Sequence, residues 1–221
     1  PWVWSRRALV CHELGENEKS DASLERALKL APRDASVRLC QGRIRYGRGE
    51  LEPAKDALRE AIRCNMIEGS PAVLLLLGEL CAEPDERRKE LDFLWKEIEA
   101  QTTAHSPVTL LYQSLADGVL EPESIYRRLV DLREQKPDSL ELLVALSNQT
   151  LSMKRLDEAL ELALETTRKF PHDVMAWNKL SDIYRAINQP EKERDCLKRA
   201  LDIEPTSSAT IRRLADSLSL S

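Results

Sequence analysis

This 221-residue chain is poor in what β-sheets, membranes and nucleic acids require. It has 2 Phe and 7 Gly, whereas β-rich domains spend more on aromatic, β-branched and turn residues. No apolar run approaches the roughly 18 residues that cross a bilayer; the longest, Ala72 to Leu77, stops at Gly78. Net charge is -5 with a pI near 5.5, so the basic surplus that displaces phosphate counterions is absent, and the balance argues against a nucleic-acid partner. The five cysteines (Cys11, Cys40, Cys64, Cys81, Cys196) form no CxxC pair and no zinc spacing with histidine. They read as buried small apolar residues in a reducing compartment, and the expected location is cytoplasmic. No GxSxG, HExxH or GxxxxGK[ST] string occurs. His12, His105 and His172 are scattered, and pairs such as Glu158 and Glu161 are what any surface helix offers. No catalytic, metal or cofactor site is expected.

What is present points to helices. Hydrophobic residues make up 42% and charged residues 32% of the chain, enough for a packed core and too apolar for disorder. The length fits one or two globular domains or one elongated array. The chain starts at Pro1 without a charged-then-apolar leader, and reads as a piece of a longer protein.

The strongest signal is a period. Pro137, Pro171 and Pro205 are 34 residues apart, and with Pro32 they close four similar phrases: ALKLAPRD, LREQKPDS, TRKFPHD and ALDIEPTS. Recurrence at this length marks stacked supersecondary units. Proline cannot continue a helix, and the Asp, Ser or Thr behind it can cap the next one. Asp138 followed by Glu141 has the spacing of a capping box. Gly15 and Gly49 suit turns within units, and Pro53, Pro122 and Pro190 suit the first turns of second helices.

In phase with the prolines stand large, small and aromatic residues. Residues 174–207 carry Trp177, Leu180, Ser181, Tyr184, Leu197, Ala200 and Pro205, with Glu193 where Ala is usual. Residues 1–34 carry Trp4, Ala8, Leu24, Ala27 and Pro32, with Arg7 and Cys11 departing. Residues 35–68 carry Gly42, Ala54, Leu58 and Ala61, with Met66 in place of proline. Residues 140–173 carry Leu143, Leu146, Ser147, Ala159, Ala163 and Pro171, and 106–139, more loosely, Tyr112, Ala116, Leu129, Leu132 and Pro137. The pattern resembles the tetratricopeptide repeat family. The third unit, 69–105, is the weakest: Leu74, Leu77, Gly78 and Cys81 read as its first helix, Pro84 and Asp85 as its turn, and Leu91, Trp95 and Ile98 as its second helix. Extra residues near Gln101 to His105 imply a longer connection.

The resemblance implies an all-α, right-handed superhelical solenoid. It would form a single array of six helical hairpins (1–34, 35–68, 69–105, 106–139, 140–173, 174–207) plus a C-terminal capping helix, 208–221. Small residues (Ala8, Gly42, Gly78, Ser147, Ser181) let paired helices approach, and large ones plug the gap to the next pair. The implied function is a protein–protein interaction scaffold holding a peptide or partner domain on its concave face. The alternative is a regulatory or substrate-recruiting arm of an enzyme whose catalytic domain lies outside this segment. Exposed end faces or the apolar groove could also support self-association, and the sequence leaves the oligomeric state open.

In this family the first helices line the groove, so the resemblance nominates Arg43, Asn148, Asn178, Lys179, Asp182, Arg212 and Arg213 for partner binding. Ser5, Leu9, His12, Leu39 and Tyr46 would lie early in the groove, and Leu75, Leu76, Leu110, Leu111, Val144 and Ala145 would make its middle apolar. The clamp that one subfamily uses for terminal carboxylates is matched only at Asn148 and Arg213, since Val144, Lys179 and Ala209 stand where Lys, Asn and Lys belong. A looser site for an acidic peptide would rest on Lys179, Arg212 and Arg213.

Overall fold

A computed structural model describes residues 1–64, 70–100 and 108–219. Thirteen helices, and no strand, occur among the described residues. They are α1 (Trp2–Glu13), α2 (Asn17–Leu30), α3 (Ala35–Gly47), α4 (Leu51–Arg63), α5 (Ser70–Leu80), α6 (Pro84–Ala100), α7 (Val108–Ala116), α8 (Pro122–Gln135), α9 (Leu140–Ser152), α10 (Leu156–Lys169), α11 (Val174–Ala186), α12 (Pro190–Ile203) and α13 (Ser208–Ser219). The helices form two compact units, α1 to α7 and α8 to α13. Within each, successive helices pack as hairpins that stack on the next. Met66 and the expected long connection from Gln101 to His105 lie outside the described residues.

The turns follow one design. Gly15, Gly49, Lys154 and Asn188 each take a positive φ, between 57° and 75°, just after a first helix. The amide of the next residue then reaches back into that helix: Glu16 N to the Cys11 carbonyl at 2.8 Å, Glu50 N to Arg45 at 3.0 Å, Arg155 N to Thr150 at 2.9 Å, Gln189 N to Tyr184 at 2.9 Å. This left-handed closure satisfies carbonyls that the helix end leaves open. Gly15 and Gly49 do what the sequence suggests; Lys154 and Asn188 do the same without glycine's freedom.

At the other end of two hairpins the acid behind the proline caps the following helix. Asp34 accepts from Ser36 N at 2.8 Å and Val37 N at 3.0 Å, and Asp173 accepts from Met175 N at 2.8 Å. The capping-box reading of Asp138 is corrected: Ser139 caps α9, accepting from Leu142 N at 3.3 Å, and Asp138 pairs instead with Lys169 at 3.2 Å. Only an extended residue immediately before the helix can aim its side chain at the first amides, and that residue is Ser139. Pro84, expected in a turn, opens α6, where its missing amide costs nothing.

Small residues set the approach of paired helices. A Cβ on Gly42 would come within 2.9 Å of Leu58 Cδ2, so α3 and α4 meet at a distance only glycine allows. Ser20 of α2 donates to the Ala8 carbonyl of α1 at 2.9 Å, and Ser147 and Ser181 are fully buried. Gly78 does not belong in this set, since nothing among the described residues crowds it, while Gly47 of α3 makes room for the His12 ring of α1.

Charge completes the stack along the second helices. Lys55 pairs with Glu86 at 3.1 Å, Arg59 with Glu90, and Arg63 with Glu97 at 3.0 Å, all from α4 to α6. In the second unit Arg133 meets Glu165 at 2.6 Å, Glu123 meets Arg155 at 2.7 Å, and the Tyr126 hydroxyl donates to Glu158, tying α8 to α10. Glu193, the departure from the alanine pattern, is 4% exposed and is neutralised by Arg185 across its own hairpin at 2.6 Å.

Candidate functional site

The polar residues nominated for binding divide between a connected cluster and separate positions. In the second unit, Lys179 and Arg213 occupy equivalent places on α11 and α13, and Asn148 and Asp182 occupy equivalent places on α9 and α11. The stagger brings Asp182 between two cations: Lys179 Nζ at 3.2 Å, one turn away on the same helix, and the Arg213 guanidinium from α13. Arg213 also donates to Ser181 Oγ at 2.8 Å and to the Asn178 carbonyl at 3.2 Å. Asn178 Nδ2 donates to Thr210 Oγ1 at 3.2 Å. Four nominated residues (Asn178, Lys179, Asp182, Arg213) therefore form one network with Ser181 and Thr210, two members the pattern reading passed over. Serine in the small-residue position gave no hint of a polar partner on the following helix.

This network holds α13 on α11, and its cost in side-chain freedom is already met within the fold. Lys179 is 12% exposed and Arg213 23%, so each keeps an edge towards solvent while its charge is answered by Asp182. Arg212 stands beside the cluster, exposed. Asn148 is half-buried on α9. Arg43 is exposed on α3 in the other unit. The surface can offer and accept hydrogen bonds with a small positive surplus.

The expected apolar middle is corrected at Leu111, Val144 and Ala145, while Leu76 and Leu110 are half-buried. α9 is buried on nearly every face, Val144 to 4% and Ala145 to 0%, and Leu111 is 4% exposed. These residues are core. An all-round apolar helix is a buried one, and α9 packs between α8, α10 and α11. Leu75, at 68%, is exposed. Of the early positions, Ser5 is buried, and its carbonyl accepts from Cys40 Sγ at 3.3 Å. Among the described residues no three His, Cys, Asp or Glu side chains cluster as metal ligands, and no helix is long and apolar enough to cross a membrane.

Helices paired into hairpins that repeat within each unit define a helical-hairpin repeat protein. Family comparison sharpens this: residues 3–34 and 150–208 each match a tetratricopeptide repeat model. Both segments are tetratricopeptide repeats, and the all-helical fold around them is consistent with a helical repeat solenoid. Among solved structures it is similar to a tetratricopeptide repeat protein from Parabacteroides merdae, at 13% identity over 97% of this chain and 83% of that one, with a TM-score of 0.55. It is also similar to YrrB, a tetratricopeptide repeat protein with an unusual peptide-binding site, at 18% identity over 86% of this chain and 96% of that one, with a TM-score of 0.46. No curated protein matches the sequence. Repeats of this family in general serve as protein–protein interaction scaffolds, and the matches support that role for this chain.

Proposed function

We propose that the second unit binds a partner peptide across its first helices, with Arg212 and the solvent edges of Asn178, Lys179 and Arg213 as the contact groups. One observation carries the reading. Asp182 fixes Lys179 and Arg213 in single orientations, so their outward N–H groups are positioned before a ligand arrives. Preorganised donors lose little entropy on binding, and modest contacts spread over neighbouring helices then suffice. The surplus of cations at the cluster favours a segment bearing carboxylates. Arg43 is a separate contact candidate on α3.

Site-specific photo-crosslinking tests this. A crosslinker in place of Arg212 is compared with one in place of Lys198, exposed on α12. Adducts from position 212 that fall several-fold in an Asp182→Asn background are expected, since the cations lose their anchor. Adducts confined to position 198 would place the partner on the second helices and end the proposal.

A further inference from the structure

At three of the first helices one residue in an equivalent position fills the seam to the preceding hairpin, whereas on α5 that position is Gly78, which nothing among the described residues crowds. Near the end of each first helix, one residue per repeat takes this position. On α3 it is Ile44, on α9 Gln149 and on α11 Ile183, all buried to 3% exposure or less. The equivalent on α1 is Val10, which has no preceding hairpin among the described residues and is 46% exposed. Gln149 shows what a polar residue does there: its Nε2 donates to the carbonyl of Pro122, first residue of α8, at 2.9 Å.

Two repeat lengths further along the chain, Gln149 becomes Ser217 and Pro122 becomes Pro190, again the first residue of its helix. Serine is too short to cross the seam. A cleft of about 430 Å³ remains, lined by Arg185, Gln189, Pro190, Glu193, Asp216 and Ser217. Ser217 is 5% exposed, yet its hydroxyl has no hydrogen-bond partner, and neither does Gln189 Oε1 in the same cleft. Buried polar atoms left unsatisfied cost free energy, and here two of them belong to residues that line one cleft.

The charges around the cleft cancel. Arg185 is held by Glu193 at 2.6 Å, Arg194 donates to the Ser217 carbonyl at 3.5 Å, and Asp216 balances it. An ion would gain little in such a field. A neutral planar group with N–H donors would satisfy the open acceptors, as the Gln149 carboxamide does at its own seam. We infer that the cleft between the α11–α12 turn and α13 is a binding pocket for the side-chain carboxamide of a partner's glutamine or asparagine. It is a site separate from the first-helix surface and does not rest on that reading.

The test is an NMR titration of the whole chain with N-acetylglutamine methylamide, a fragment whose few atoms set a millimolar affinity. Saturable shifts of the Gln189 side-chain amide and the Ser217 backbone amide are expected. The Ser217→Gln variant carries its own carboxamide into the seam, so it should melt at a higher temperature and lose the response. Ser217→Ile, copied from Ile44 and Ile183, should lose the response as well, which guards against a glutamine that packs badly. Two parallel titrations use the matching glutamate and arginine derivatives. Absence of saturable shifts at either group, an equal or stronger response to the charged derivatives, or a response that persists in both variants would overturn the assignment.

Discussion

At the scale of single residues, backbone conformation is where the chain departs from its own best solution. The turn after a first helix demands φ near +60°, and Gly15 and Gly49 supply it at no steric cost. Lys154 meets the same demand at φ 60° with a Cβ pressed towards a carbonyl, a strain of about 1–2 kcal/mol for an ordinary residue. Lys154→Gly relieves that strain and returns some of the gain as added freedom of the unfolded chain, roughly 0.5–1 kcal/mol. The expected result is a stabilisation of up to about 1 kcal/mol, read as a higher urea midpoint. Gly49→Ala should move the midpoint the other way by a similar amount; a Lys154→Gly midpoint below wild type would contradict the strain account. Half of this turn design was legible in the sequence, because glycine advertises a left-handed position. Lysine does not, and only the period could have pointed to Lys154.

At the scale of helices, ion pairs between neighbouring second helices decide more than their surface appearance suggests. Charges on those helices, such as Glu158, read as a solvated face when each helix is taken alone, since partners one repeat away are invisible to local spacing. Glu90 is 2% exposed and its charge is met by Arg59 of α4. Arg59→Ala removes that partner and leaves a carboxylate buried, for which a loss of about 3 kcal/mol is expected. Arg59→Met with Glu90→Leu together should cost far less, because no charge is left unmatched. Urea unfolding of Arg59→Met, Glu90→Leu and their combination closes the cycle; additive losses would mean the pair is not coupled. The same blindness to neighbours explains Glu193, legible as a mismatch at an alanine position, while its partner Arg185 was not. It also explains why Val144 and Ala145 looked like groove residues, since position on a first helix marks the face it presents but not whether that face is covered.

At the scale of the whole chain, the fold class came through because prolines, small residues and large residues recur together. The candidate site came through only as a set of positions; that Asp182 would gather Lys179 and Arg213 depended on the offset between α11 and α13. The cysteines supply a property of the entire molecule. All five are free thiols, and four are buried. Burial pushes Cys40 and Cys81 up from the ordinary 9.0 to about 11, and Cys196 to about 12. A folded thiol with a raised pKa holds its proton after the unfolded chain has released one. The unfolded state therefore binds fewer protons between about pH 9 and pH 11, and stability must fall as pH rises through that window. Below about pH 9 both states are protonated, and the three thiols contribute no pH dependence. Other groups titrate in the same range, and Tyr126, raised by its bond to Glu158, pulls in the same direction. The decisive comparison is with a variant in which Cys40, Cys81 and Cys196 are all alanine. Its urea midpoint should decline less steeply above about pH 9 than that of the parent chain, whatever its stability near neutrality. Parallel declines would show that the buried thiols carry no share of the alkaline loss.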